Sequence, residues 1–192
     1  LKASNEELET KIVHLYDYQY KGCTECYACK LKDGESYGKC AYPDDIFELL
    51  EEVSNADIVV FESPIFFFDI TGELRSFLER LFYPYVAFKR GSARIISPKR
   101  VHTAFLYTMN ITEQEMKYSG YEQNLAATHN WTNYIFGFEP ETLYAYNTYQ
   151  YENYDSYIAD SWDVLGKKKW QDEMFPKDCK NAFELGQKLT GN

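Results

Sequence analysis

The stretch Asp57-Ile-Val-Val-Phe-Glu-Ser-Pro-Ile-Phe-Phe-Phe-Asp-Ile-Thr-Gly-Glu-Leu-Arg-Ser-Phe-Leu-Glu-Arg80 decides the fold. Asp57 to Phe61 is a short, apolar, β-branched run, which predicts a strand covered on both faces in a parallel sheet. From Gly72 to Phe82, Leu74, Phe77, Leu78 and Leu81 fall on one helical face, with Arg75, Glu79 and Arg80 off it, so this part reads as an amphipathic helix. The connection between them, Glu62 to Gly72, carries three consecutive phenylalanines directly before the helix. Pro64 fixes its own backbone angle and restricts Ser63 to extended geometry. Apolar bulk at such a place needs a cover. Either Phe66 to Phe68 cap the core at the end of the sheet, or they form a platform for a flat ligand.

The flanking sequence extends the pattern. Upstream, Pro43 to Val53 opens with Pro and two acids and spaces Ile46, Leu49, Leu50 and Val53 as a helix does. Lys11 to Tyr16 reads as a strand fed by a helix tail over Asn5 to Thr10. Downstream, Val101 to Tyr107 reads as a third strand, Tyr121 to Phe138 as a helix ending near Gly137, Glu141 to Tyr146 as a fourth strand, and Asp178 to Leu189 as the closing helix. Strands alternate with helices, so the fold class is α/β with a mainly parallel sheet. Tyr149 to Phe175 shows no clear period and reads as an irregular surface excursion, with Lys167 to Lys169 as a solvated turn. No repeat or flexible linker divides residues 1–192, which predicts a single domain.

Composition narrows the function classes. The chain has 192 residues, 20 Lys plus Arg against 30 Asp plus Glu, and a formal net charge of −10. So acidic a surface argues against nucleic-acid and anionic-membrane partners, which need basic patches. No apolar run approaches the roughly 18 residues of a membrane span and no signal-peptide pattern opens the chain, which predicts a soluble cytoplasmic protein. The 18 Tyr and 13 Phe fit either a Tyr-rich core or a stacking ligand.

The segment Asp57 to Arg80 resembles the strand, loop and helix of flavodoxin-like NAD(P)H-dependent FMN reductases. Cys23-Thr-Glu-Cys-Tyr-Ala-Cys29, Gly38-Lys-Cys40 and the acidic Asp44-Asp45 resemble the cysteine-bearing segment of that family and of its iron-sulfur flavoprotein branch. Thr103 to Asn110 and the C-terminal Ala182 to Gly186 match its next strand and its closing helix. The resemblance implies a three-layer flavodoxin-like sheet of strand order 2-1-3-4-5. Lys11 to Tyr16 would be strand two. The family's first strand and phosphate-binding loop have no match here, and the chain opens on Leu1, which together predict either that further residues precede it or that FMN binding is impaired.

By the same resemblance, Ser63, Pro64, Ile65, Phe66 and Phe67 would lie along the FMN ring and ribityl chain, with Thr108, Met109 and Asn110 approaching from the neighbouring loop. No side chain then needs to act as a catalytic acid or base, because the flavin accepts the hydride and the protein supplies position and electrostatics. Family members generally pair as homodimers, and Phe82 to Tyr85 suits either a buried subunit surface or the core of a monomer.

Cys23, Cys26, Cys29 and Cys40 are spaced as cluster-binding chains space thiolates, although the final gap is longer than in a bacterial ferredoxin run. An iron-sulfur cluster, a zinc ion and unligated thiols are all compatible with that spacing. Cys179 reads as a core residue of the last helix. His14 and His102 read as core residues within strands, and His129 as a helix residue. None of them has the partners that a metal site or a hydrolytic triad requires.

The leading expectation is an FMN-dependent oxidoreductase passing electrons from NAD(P)H to a flavin, a quinone or another small acceptor. An iron-sulfur flavoprotein acting as an electron carrier, and a binding protein of the same fold without cofactor, are the alternatives.

Overall fold

A computed structural model describes residues 8–88, 90 and 94–191. Its sheet is built on β1 (Ile58–Phe66), which runs parallel to β3 (His102–Thr108) from Ile58 opposite His102 to Pro64 opposite Thr108. β3 in turn runs parallel to β4 (Glu141–Ala145), and the two-residue β2 (Asp69–Ile70) folds back antiparallel on the end of β1, giving the order β2-β1-β3-β4. The predicted third, fourth and fifth strands of the flavodoxin-like order are therefore neighbours, as that order requires. β1 runs five residues beyond the predicted strand, through Pro64. Among the described residues its other edge pairs only with β2 at the tip, and an edge strand tolerates a residue without an N–H.

α1 (Phe47–Asn55), α2 (Gly72–Phe82) and α4 (Tyr121–Phe136) share one core with the sheet. Phe61 and Phe105 stack at 5.1 Å, and Leu74, Leu78, Leu125 and Phe136 bury around them. The 27-residue α5 (Val164–Thr190) crosses β4, where Lys188 meets Glu141 at 2.7 Å. The opposite face of β1 is not sealed among the described residues: Val60 is 36% exposed and Glu62 is open to solvent. The expectation of a strand covered on both faces is corrected for β1, while β3, with buried Thr103, Ala104, Phe105 and Tyr107, satisfies it.

Other expectations change as well. Lys11 to Tyr16 is not a strand. It runs beside α1, with Lys11 paired to Glu52 at 2.5 Å, and ends in a 3-10 turn, Leu15–Asp17. Its apolar run satisfies strand propensity but finds no hydrogen-bonding edge, and Val13 and Leu15 pack on the core instead. Of the predicted helix tail, residues 5–7 lie outside the described residues and 8–10 are not helical.

α1 starts at Phe47, four residues after Pro43, because both acids meant to cap it are engaged elsewhere. Asp44 pairs with Arg80, and Asp45 accepts from the Gln19 N–H. The closing helix begins at Val164, not Asp178, so the irregular excursion ends before it. His14, His102 and Cys179 are exposed rather than buried, and His102 instead stacks on Phe138 at 3.9 Å. α3 (Glu113–Tyr118) was not predicted, although the sequence carries its sign. Thr112 and Glu115 form a reciprocal capping box.

Candidate functional site

In an open α/β sheet, ligands bind beyond the carboxyl ends of the strands. The two predicted flavin-contacting segments meet there, since Pro64 and Thr108 are register partners at the ends of β1 and β3. Their residues differ in availability. Ser63 is 1% exposed, and its Oγ accepts from Thr71 N at 3.1 Å and donates to Pro64 O at 2.8 Å. Thr71 caps α2 by accepting from Leu74 N. The Ser63 hydroxyl thus ties the end of β1 to the start of α2. At Gly72, the first residue of α2, a Cβ would meet nothing within 4 Å, so the space there is open.

Phe67 and Phe68 form the turn between β1 and β2, both in the left-handed region at φ 50° and 70°. Such hairpin turns are the province of Asn and Gly, and each non-glycine residue held there costs about 1–2 kcal/mol. Phe67 is 97% exposed. Phe68 leans on the Tyr121 ring at 4.5 Å, and its carbonyl accepts from Asn124 Nδ2. The three rings of Phe66 to Phe68 stand out of the fold rather than capping its core.

The second segment is held from below. Met109, 4% exposed, donates its N–H to Ala145 O, and its carbonyl accepts from the Thr148 N–H and hydroxyl. Asn110 O accepts from Lys167 Nζ at 2.9 Å, and the same ammonium donates to Asn147 Oδ1 at 2.6 Å. Lys167 is buried, which pushes its pKa down, with Glu115 opposing. The expected solvated turn is therefore wrong for Lys167, which tethers the ends of β3 and β4 to α5. Asn110 Oδ1 is buried with no hydrogen-bond partner. Behind this segment Tyr107 OH lies 3.0 Å from His129 Nε2, and burial raises the tyrosine pKa and lowers that of the histidine. Lys167, Asn147 and the Tyr107–His129 pair escaped sequence reasoning. Only Asp163, a residue type that favours helix N-caps and here accepts from Gly166 N, signalled that α5 begins early enough to bury Lys167.

The four spaced cysteines come together. Cys23, Cys26, Cys29 and Cys40 line one pocket with Glu79 and Arg80 of α2. Burial pushes the Cys29 thiol pKa up, and so do the other three cysteines, with Lys30 opposing. Arg80, 2% exposed, grips Asp44 with two nitrogens at 2.5 and 3.0 Å and donates its Nε–H to Cys40 Sγ at 3.1 Å. Among the described residues, no group of three or more His, Cys, Asp and Glu is arranged to hold a metal ion. No helix among them is long and apolar enough to cross a membrane.

Comparison with known proteins bears on both regions. An iron-sulfur flavoprotein of Archaeoglobus fulgidus is 39% identical over 72 residues, covering 38% of this chain and 33% of that protein. The mouse ribosyldihydronicotinamide dehydrogenase [quinone] is 28% identical over 94 residues, covering 44% of this chain and 41% of that protein. The chain thus spans well under half the length of these relatives. A solved structure from Klebsiella pneumoniae, described as a quinone reductase, superposes with a TM-score of 0.52 at 15% identity, over 85% of this chain and 71% of its own, which supports the flavodoxin-like fold. The family model for NADPH-dependent FMN reductase matches residues 1–104, which include the cysteine segment, β1, α2 and the first three residues of β3. Matched over more than half its length, the chain belongs to the NADPH-dependent FMN reductase family.

Proposed function

We propose that the protein is an FMN-dependent oxidoreductase that takes a hydride from NAD(P)H and delivers the electrons to a small acceptor such as a quinone or a free flavin. The observation that carries this reading is the meeting of Ser63–Phe67 with Thr108–Asn110 at the carboxyl edge of the sheet, beside the buried, unpartnered Asn110 Oδ1 and the open space at Gly72. An orphaned acceptor beside open space suits the edge of an isoalloxazine, which donates as well as accepts hydrogen bonds. The flavin, when bound, supplies the hydride-accepting chemistry. Pro64, Ile65 and Phe66 present backbone along it, Phe67 offers a ring to stack, and Lys167 holds the Met109–Asn110 segment in place. No acid or base among these side chains is required.

FMN fluorescence titration of the protein tests the reading directly. Saturable quenching, followed by bleaching of the yellow colour on anaerobic addition of NADPH, is the expected result. Absence of quenching overturns it.

A second reading is supported by the four cysteines sharing one pocket. The donor set is all sulfur, so Cys23, Cys26, Cys29 and Cys40 would be the residues to hold an iron-sulfur cluster, which would supply one-electron chemistry. A brown protein containing iron and acid-labile sulfide after anaerobic preparation is expected, and an iron-free protein overturns it. The proposal also includes a cytoplasmic, single-domain homodimer, in which the exposed Phe66, Phe67 and Phe68 give a second copy an apolar surface to cover. A monomeric mass by sedimentation removes that part.

A further inference from the structure

The loop from Cys29 to Cys40 is fastened at both ends to one place. Backbone turns bond within it, and Gly38, at φ 79°, donates its N–H to Cys29 O at 3.0 Å, closing the loop two residues before Cys40. At the first end, Lys30 Nζ donates to the carbonyls of Tyr83, Pro84 and Val86, just beyond α2. At the second, all five N–H donors of Arg80 are engaged: Nε on Cys40 Sγ, Nη1 on Lys21 O and Asp44 Oδ2, and Nη2 on Tyr42 O and Asp44 Oδ1. Cys29 and Cys40 therefore sit against the same end of α2, and both line a cavity of about 20 Å³. A space of that size holds about one water, so only solvent has to leave for the two sulfurs to meet.

The other cysteines of the run are placed differently. Cys26 is exposed and lies between Glu25 and Tyr27, both left-handed at φ 55°. Cys23 is held on the Glu79 side, where its N–H donates to Glu79 Oε2 at 3.2 Å. Cys29 is buried and Cys40 half-buried, so solvent reaches one thiol of the pair and not the other.

We propose that Cys29 and Cys40 form a thiol-oxidation site, in which a peroxide oxidises Cys40 and Cys29 resolves it as a reversible disulfide that staples the loop shut. The inference goes beyond the flavin reading and needs neither flavin nor metal. In the first step the Cys40 sulfur gives two electrons to the peroxide; its O–O bond breaks, an S–O bond forms, and one water leaves. In the second, the Cys29 sulfur attacks the sulfenic sulfur of Cys40. The S–S bond forms, the S–O bond breaks, and the Cys29 proton leaves with the hydroxyl as a second water. A dithiol reductant restores both thiols. Disulfide and cluster exclude one another, since each needs the same two sulfurs.

The test uses the protein stripped of metal by a chelator and reduced. Hydrogen peroxide is added without denaturant until the exposed Cys179 is oxidised; free thiols are then blocked with iodoacetamide, and the peptides are mapped by mass spectrometry. A linked Cys29–Cys40 peptide is expected, lighter than its parts by two hydrogens and lost on treatment with dithiothreitol. Cys40→Ser is expected to abolish it and Cys26→Ser to retain it. Linkage of any other pair, or oxidation of Cys179 with Cys29 and Cys40 still reduced, overturns the inference. The wild-type map decides the matter alone if Cys40→Ser does not fold. A failed FMN titration or a protein that takes up no iron counts against the readings given above and leaves this map unchanged.

Discussion

Two arginine–aspartate pairs on α2 measure how differently the ends of that helix are built. Arg75 reaches Asp69 at 2.7 Å with the side chains 40% and 37% exposed, beside the protruding Phe66–Phe68 turn. Arg80 reaches Asp44 at 2.5 Å with 1% and 11% exposed, against the cysteine pocket. The first pair is open to solvent, next to the strained Phe67–Phe68 backbone. The second is dry and saturated, with every donor committed. The helix thus carries an open, solvent-facing ion pair toward one end and a closed, fully bonded one toward the other.

The largest expected effect tests the dry end. Arg80→Ala leaves Asp44 buried and unpaired and is expected to cost about 3–5 kcal/mol in urea unfolding; a loss under about 1 kcal/mol would show that the two ends do not differ. Next, Lys167→Met removes two hydrogen bonds from a buried ammonium beneath the Met109–Asn110 segment. It is expected to cost about 1–3 kcal/mol and to weaken FMN binding, read by chemical unfolding and fluorescence titration. Phe68→Gly relieves one left-handed residue. After glycine's added unfolded-state entropy, a gain of about 0.5–1 kcal/mol remains, visible as a higher melting temperature. A lower melting temperature would mean that the contact with Tyr121 outweighs the strain. Arg75→Ala, the exposed counterpart of the first substitution, is expected to cost less than about 1 kcal/mol, and a larger loss would collapse the comparison.

The smallest effect is a pH dependence. Burial lowers the His129 pKa, so below about pH 6.5 the unfolded chain binds a proton there before the folded chain does. Stability that is complete above that pH is lost as pH falls toward the folded-state value. His129→Gln is expected to make that loss shallower in melting curves recorded across the range. An unchanged slope would assign the acid sensitivity to other groups.

The sequence revealed those parts of the fold whose cause is local. The apolar run at Asp57–Phe61 and the four leucine and phenylalanine positions of α2 carry their own periodicity, and β1 and α2 follow them. Lys11 to Tyr16 has strand composition, but a strand also needs an edge to bond, and composition is silent about edges. α5 was half hidden because Pro176 sits inside it, where proline ordinarily marks a boundary, and because its first turns are polar. With the start of that helix misplaced, the burial of Lys167 could not be read. The turn at Phe67–Phe68 was obscured for a related reason: neither residue advertises a left-handed backbone, and only the pairing of β2 with β1 forces it. The spacing of the cysteines was visible, whereas their meeting with Arg80 depends on α2 crossing the loop that carries them.

That crossing constrains how this chain can vary in length. Thr71 is pinned to Ser63 at one end of α2, and Arg80 to Asp44 and Cys40 at the other. Inserting or deleting one residue between them would turn one end against the other by about 100° and shift it by about 1.5 Å along the axis. Arg80 would then face away from the sulfurs, or the aromatic turn away from the sheet edge. Loops elsewhere in the molecule can lengthen or shorten, but the eight positions between Thr71 and Arg80 can change only in kind, never in number.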